Sequence, residues 1–152
     1  MWTRLFATIL GLALVAESIE RTVISTENAP KAIGPYSQGI LTTFASGEKI
    51  LQAAGQIGLD PKTGRVVSGG IQAQARQTME NIKAIVTAAG ASMKDVLECT
   101  VLMEDLADYA SLNEVYATYF DETNAPARAA FQVVALPANA SCEIKCSAAF
   151  GG

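Results

Sequence analysis

The chain has 152 residues, is 50% hydrophobic and carries a net charge of −4, which suits a single globular domain with a full core. It contains no histidine; that excludes Ser-His-Asp and Cys-His nucleophilic systems, histidine acid/base catalysis and HExxH zinc sites. The acidic balance and the lack of any Lys/Arg run argue against a nucleic-acid partner.

The amino-terminal segment differs from the rest. Met1 to Arg4 is a short basic stretch, and Leu5 to Ala16 is an apolar run broken only by Thr8. Such a run is too short for a bilayer, which takes about 20 residues, so no stable membrane span is expected in the mature chain. It fits a secretory signal with small residues at Ala13 and Ala16. It also fits an organellar presequence, although Arg4 and Arg21 are the only arginines on offer, or an additional hydrophobic helix. Residues 1–20 are therefore set apart as a targeting-type segment, and residues 21–152 are taken as the folded domain.

From there the elements follow in order. Val23 to Ser25 starts a short strand. Asn28 to Pro30 and Ile33 to Tyr36 form a turn-rich loop. Ser37 to Phe44 and Lys49 to Ile57 read as two strands joined by a hairpin at Ala45 to Glu48. Asp60-Pro61-Lys62-Thr63-Gly64 is a turn, with Pro fixing φ and Gly accepting φ > 0. Ile71, Ala75, Met79, Ile82, Val86 and Ala89 recur at helical spacing, and Gly90 is a fitting terminator. Val96 to Met103 is a strand. Tyr109, Leu112, Val115, Tyr116, Tyr119 and Phe120 mark a second helix with Asp108 as its N-cap, their aromatic stripe read as core packing. Ala129 to Leu136 and Ser141 to Phe150 are the last strands. The order β-β-β-α-β-α-β-β predicts an α+β fold, antiparallel strands with two helices packed on one face.

Within this frame Arg128 stands out. It sits among small and apolar residues in the run Pro126 to Val133, and an unpaired buried charge is costly. Its fork suits a carboxylate or phosphate. No acidic residue lies within four positions of it, so its partner is distant in sequence or a ligand. Glu143 follows on the last strand, where Cys142, Ile144, Cys146, Ala148 and Phe150 alternate with Ser141, Glu143, Lys145 and Ser147. The first set is core. The second faces either solvent or an associating surface. Gly55 lies mid-strand, where glycine marks a bulge or the close approach of a ligand. Cys142 and Cys146 lie about 13 Å apart along one strand, too far for a disulfide. With Cys99 they read as small buried hydrophobes.

Several motifs in order give the chain a resemblance. They are Asn28-Ala29-Pro30-Lys31-Ala32-Ile33-Gly34-Pro35-Tyr36-Ser37-Gln38, Ala54-Gly55-Gln56-Ile57, Gln74-Ala75-Arg76-Gln77 to Asn81-Ile82-Lys83, Pro126-Ala127-Arg128-Ala129-Ala130, and Leu136-Pro137 with Glu143-Ile144. Together they resemble the RidA family of reactive-intermediate deaminases, also called YjgF-like proteins, from about Val23 to Phe150. The resemblance implies a chorismate-mutase-like mixed sheet with two helices on one face, and a homotrimer with small-molecule clefts between subunits. The implied reaction is hydrolysis of 2-imino acids, chiefly 2-iminobutanoate and 2-iminopropanoate, to 2-oxo acids and ammonia. No metal or organic cofactor is implied, and the implied location is mitochondrial or cytoplasmic. Some family members are described as translation-inhibiting endoribonucleases; a third reading is a chaperone-like binding trimer. By resemblance Arg128 clamps the substrate carboxylate, Glu143 orients the attacking water, and Tyr36, Gly55, Ala130 and Asn113 line the site. Two departures stand out. Ala130 replaces a frequent cysteine, and Lys145 replaces a frequent glutamate, with an expected effect on the electrostatics of the cleft or trimer axis.

Overall fold

In the computed structural model, which describes residues 19–151, strand β1 (Glu20–Ile24) pairs antiparallel with β2 (Gly39–Thr43). β1 thus begins three residues before the expected Val23. The hairpin to β3 (Lys49–Ala53) turns at Gly47, whose φ of 99 lies in the left-handed region. The targeting-type reading covers residues 1–20, of which 1–18 lie outside the described residues, while Glu20 already belongs to β1. Among the described residues no helix is long and apolar enough to cross a membrane.

The expected strand Lys49 to Ile57 is two strands. β3 ends at Ala53, and β4 (Gln56–Ile57) resumes the pairing with β9 (Cys142–Phe150). Gln52 stands opposite Ser147, but Gln56 stands opposite Ile144. Four residues on one side therefore match three on the other, a bulge at Gly55 that bends the strand. β5 (Leu59–Asp60) and β6 (Arg65–Val66) form a small hairpin around the expected turn, with the Lys62 amide donating to Asp60 Oδ1 at 2.8 Å.

Helix α1 (Gly70–Ala88) buries Ala75, Met79, Ile82, Ile85 and Val86 as its periodicity requires, and Gly90 leaves it at φ 85. β7 (Val96–Met103) is followed by a 3-10 turn at Leu106–Asp108 and by α2 (Tyr109–Tyr116). Asp108 precedes α2, as expected, but its side chain makes no capping bond. Asp105 caps instead, accepting from the Ala107 amide at 2.8 Å. The helix is shorter than the aromatic stripe suggests, because the chain tightens into a 3-10 turn at Ala117–Tyr119.

β8 (Ala127–Gln132) completes a sheet of order β1-β2-β3-β9-β7-β8. β7 and β8 run parallel, because the α2 crossover returns the chain in the same direction. Both helices lie on one face, where Leu51, Val101, Met103 and Ile144 meet Met79, Ile82, Ile85 and Leu112 in one core. On the other face a second, smaller cluster joins Ile57, Leu59, Leu136 and Ala140, with Leu102 packed against it.

The cysteine reading needs correction. Cys142 and Cys146 are indeed unbonded to each other, but Cys99 and Cys146 are partners across β7 and β9 and are joined as a disulfide. The pairing spans 47 residues and is created by sheet register, which spacing along one strand does not reveal. Cys142 remains a buried free thiol, pushed up to about 11 by burial.

Candidate functional site

The residues singled out by sequence fall into two pockets that share no lining residue. Arg128, Asn113 and Ala130 line one of about 510 Å³, together with Tyr109 and Tyr116. Glu143, Tyr36 and Gly55 line another of about 260 Å³, with Ile33, Ile57 and Pro137. The register explains the separation. Arg128 is the partner of Cys99, which faces the helices, whereas Glu143 is the partner of Leu102 and Ile57, which face away. Paired residues share a face of a sheet, so Arg128 and Glu143 belong to opposite faces.

In the first pocket Arg128 projects from the edge strand β8 towards α2. Its Nη2 donates to the Tyr109 hydroxyl at 2.8 Å. Its Cζ lies 4.6 Å from the ring centre of Tyr116 and 5.5 Å from that of Tyr109, so aromatic faces hold the charge. A guanidinium has five N–H donors, and the rest of the fork stays available to an anion. Tyr116 is buried, and its hydroxyl and Asn113 Oδ1 have no hydrogen-bond partner among the described residues. Burial pushes the Tyr116 phenol up to about 12 against the pull of Arg128, so it stays protonated. The aromatic stripe of α2 is thus more than core packing, since Tyr109 and Tyr116 wall the arginine pocket. Their spacing of two helical turns carried that signal, but nothing in the sequence tied it to Arg128.

The second pocket is built around Glu143. A Cβ placed on Gly55 would lie 2.9 Å from Glu143 Cδ and 3.2 Å from Cγ, with Oε1 closer still. Glycine is present because the carboxylate lies over the backbone at the bulge. Of the two readings of Gly55 the bulge is what the strand register shows, and the group over its backbone is the Glu143 side chain of the same chain rather than a ligand. Burial raises the Glu143 carboxyl above its usual range. Tyr36 is exposed, and its hydroxyl accepts from the Ile33 amide at 3.2 Å. The phenol proton is left to donate elsewhere. Lys145 is exposed, opposite Thr100 on the same sheet face as Glu143.

Three buried amides, present in the sequence motifs but given no role there, hold this pocket in place. Gln38 accepts from the Thr26 amide at 2.6 Å and donates to the carbonyls of Thr26, Ala29 and Pro30 at 3.0, 3.0 and 2.8 Å, which pins the loop that carries Tyr36. Asn81 donates to Ile57 and Leu59 carbonyls at 3.1 and 2.9 Å. Gln74 accepts from the Ser141 amide at 2.8 Å and donates to its hydroxyl at 3.2 Å, next to the start of the strand bearing Glu143. Among the described residues no group of three or more His, Cys, Asp or Glu is placed to hold a metal ion.

Comparison with known proteins agrees with this architecture. A RutC family protein from Pyrococcus horikoshii is 52% identical over 125 residues, covering 82% of this chain and 94% of the relative. The human 2-iminobutanoate/2-iminopropanoate deaminase is 45% identical over 134 residues, covering 88% of this chain and 93% of its own. The crystal structure of Escherichia coli TdcF with bound serine matches with a TM-score of 0.74 at 42% identity, covering 86% of this chain and 99% of that one. The fold is the α+β, chorismate-mutase-like fold of these proteins. Residues 26–150 match the family model described as endoribonuclease L-PSP, and the chain accordingly belongs to that family, the RidA or YjgF-like proteins.

Proposed function

We propose that the protein hydrolyses 2-iminobutanoate and 2-iminopropanoate to 2-oxo acids and ammonia. The reaction takes place in clefts of a homotrimer, each joining the Arg128 pocket of one copy to the Glu143 pocket of the next. The observation that carries this reading is the split site: an arginine bonded to a phenol, its fork still open, and a carboxylate of raised pKa on the opposite sheet face. Each half lacks what the other supplies. Association supports the pairing, since the sheet face away from the helices exposes Val23, Ile50 and Phe131, and closed rings are the usual way to cover such a face. Names borne by relatives at 42–45% identity support the reaction class, and the bound serine of TdcF is a ligand of the right size and charge.

Arg128 takes the substrate carboxylate by a bidentate, charge-assisted pair. This fixes the imine carbon against the Glu143 pocket. Glu143 accepts a hydrogen bond from water and aims its oxygen at C2. As the C–O bond forms, the C=N π pair moves to nitrogen, and the proton released by water passes through the carboxylate to that nitrogen. In the resulting carbinolamine the hydroxyl proton passes through the same carboxylate to the amine nitrogen, the C=O forms, the C–N bond breaks and ammonia leaves. A carboxyl raised above its usual range suits both transfers better than an ordinary one. An imine is already electrophilic, so placement of water matters more than a strong base. The Tyr36 hydroxyl, its lone pair engaged by Ile33, is free to donate to the ligand.

The test generates the imine with an amino-acid oxidase and follows its disappearance. Arg128→Ala should abolish turnover without unfolding the protein, and Arg128→Lys should retain little, since a point charge does not replace the fork. Undiminished turnover by the alanine variant would sink the clamp. The family description names an endoribonuclease, so RNA is the competing ligand. RNA should not inhibit imine hydrolysis at physiological ionic strength. Strong, salt-sensitive inhibition, with RNA cleavage lost in Arg128→Ala, would favour the nuclease.

A further inference from the structure

We propose that Tyr109 is a positioning residue for the arginine clamp, fixing one N–H of Arg128 so that the remaining fork faces the ligand. The inference rests on the reading of Arg128 as the carboxylate clamp. Tyr109, Asn113 and Tyr116 stand at i, i+4 and i+7 of α2, so they form one stripe along the helix, and all three line the arginine pocket. The two tyrosines restrain Arg128 in complementary ways. Tyr116 lies 4.6 Å from Cζ and offers a ring to the guanidinium. Tyr109 accepts from Nη2 at 2.8 Å and fixes rotation within the plane.

The geometry of an NH₂ group shows why Tyr109 acts through the arginine. Nη2 carries two N–H bonds about 120° apart. Two acceptors, one on each, stand about 5 Å from one another at ordinary hydrogen-bond lengths. A carboxylate on the second N–H is thus too far to bond directly to the Tyr109 hydroxyl and does not compete with it. Held this way, the guanidinium meets the ligand already oriented, and less side-chain freedom is lost on binding. Tyr109 is 39% exposed, so its hydroxyl can be removed without opening a hole in the core. Tyr116, by contrast, belongs to the core.

Tyr109→Phe keeps the ring and deletes the acceptor. The KM for 2-iminobutanoate should rise about five- to tenfold, the range of one ordinary net hydrogen bond, with kcat within about twofold and the melting midpoint unchanged. Titration with 2-oxobutanoate, which needs no turnover, should show the same loss of affinity. On an Arg128→Lys background, which lacks Nη2, the tyrosine substitution should add nothing. A second readout uses the ligand-free protein: the Arg128 Nη signals of ¹⁵N-arginine-labelled protein should report slow rotation in the wild type and faster rotation in Tyr109→Phe. A drop in kcat at constant KM, equal losses on both backgrounds, or unchanged Nη rotation would each overturn the proposal. If wild type neither hydrolyses imines nor binds 2-oxobutanoate, the deaminase reading fails; the Nη measurement still decides whether Tyr109 restrains Arg128.

Discussion

Gly55→Ala isolates the placement of the Glu143 carboxylate. Its methyl group would sit 2.9 Å from Cδ and 3.2 Å from Cγ, whereas carbon atoms rest at about 3.5–4.0 Å. The carboxylate, nearer still, has to move by about 1 Å. Glu143 is only half-buried, so it swings towards solvent rather than forcing β4 from β9. The fold should therefore survive. A misplacement of about 1 Å at a group that aims a nucleophile costs about 10²-fold, or about 2.7 kcal/mol of transition-state stabilisation. The loss should appear in kcat of the oxidase-coupled assay. Affinity for 2-oxobutanoate should change by less than about threefold, because Arg128 lies in the other pocket and keeps its hold on the carboxylate. Retention of kcat within about threefold, in a folded variant, would show that the rate does not depend on where Glu143 rests.

The remaining expectations concern protons and packing. Activity should fall as pH drops through the raised Glu143 pKa, and Glu143→Gln should be nearly inactive while still binding 2-oxobutanoate. The stability effect has the opposite sign to that of a paired carboxylate: with its folded pKa raised, the native state takes up the proton first as pH falls. The charged form thus disfavours folding above this window, and Glu143→Gln should not lower the melting midpoint at neutral pH. Gln38→Leu strands the carbonyls of Thr26, Ala29 and Pro30. It should destabilise the protein by about 2–4 kcal/mol and speed hydrogen exchange in the Tyr36 loop. Tyr116→Phe removes a hydroxyl that has no partner among the described residues and should leave stability within about 1 kcal/mol, whereas Tyr116→Leu also removes the ring under Arg128 and should raise KM.

Helix α1 was legible almost to the residue, because its apolar spacing and Gly90 are local signals. The alternation along β9 likewise revealed which face Glu143 occupies. Non-local facts were not legible. The bulge at Gly55 arises from a one-residue mismatch against β9, which requires knowing the partner strand. The Cys99–Cys146 pairing and the contact between Tyr109 and Arg128 likewise bring together residues far apart in sequence. Arg128 itself was conspicuous, since a lone charge in apolar surroundings violates composition locally. What the sequence concealed was that its restraint comes from phenol rings, whose buried faces look like ordinary core. The polar residues of the motifs divided unexpectedly: Gln38, Gln74 and Asn81 serve the backbone from inside, while Arg128 and Glu143 face the pockets.

Because Arg128 and Glu143 open into different pockets, a single chain defective in one of them still carries a sound version of the other. Inactive Arg128→Ala and Glu143→Gln subunits should therefore rescue each other when co-assembled. In a three-membered ring with directional contacts, any mixture of the two kinds has one junction where an intact arginine meets an intact carboxylate. Random 1:1 assembly makes about three quarters of the rings mixed, so activity should return to about one quarter of wild type. The same arithmetic governs inheritance. In the proposed trimer, a faulty allele co-expressed with a sound one would impair two clefts for each single bad subunit only if its lesion reached both pockets, and a point change in one pocket would spoil just one.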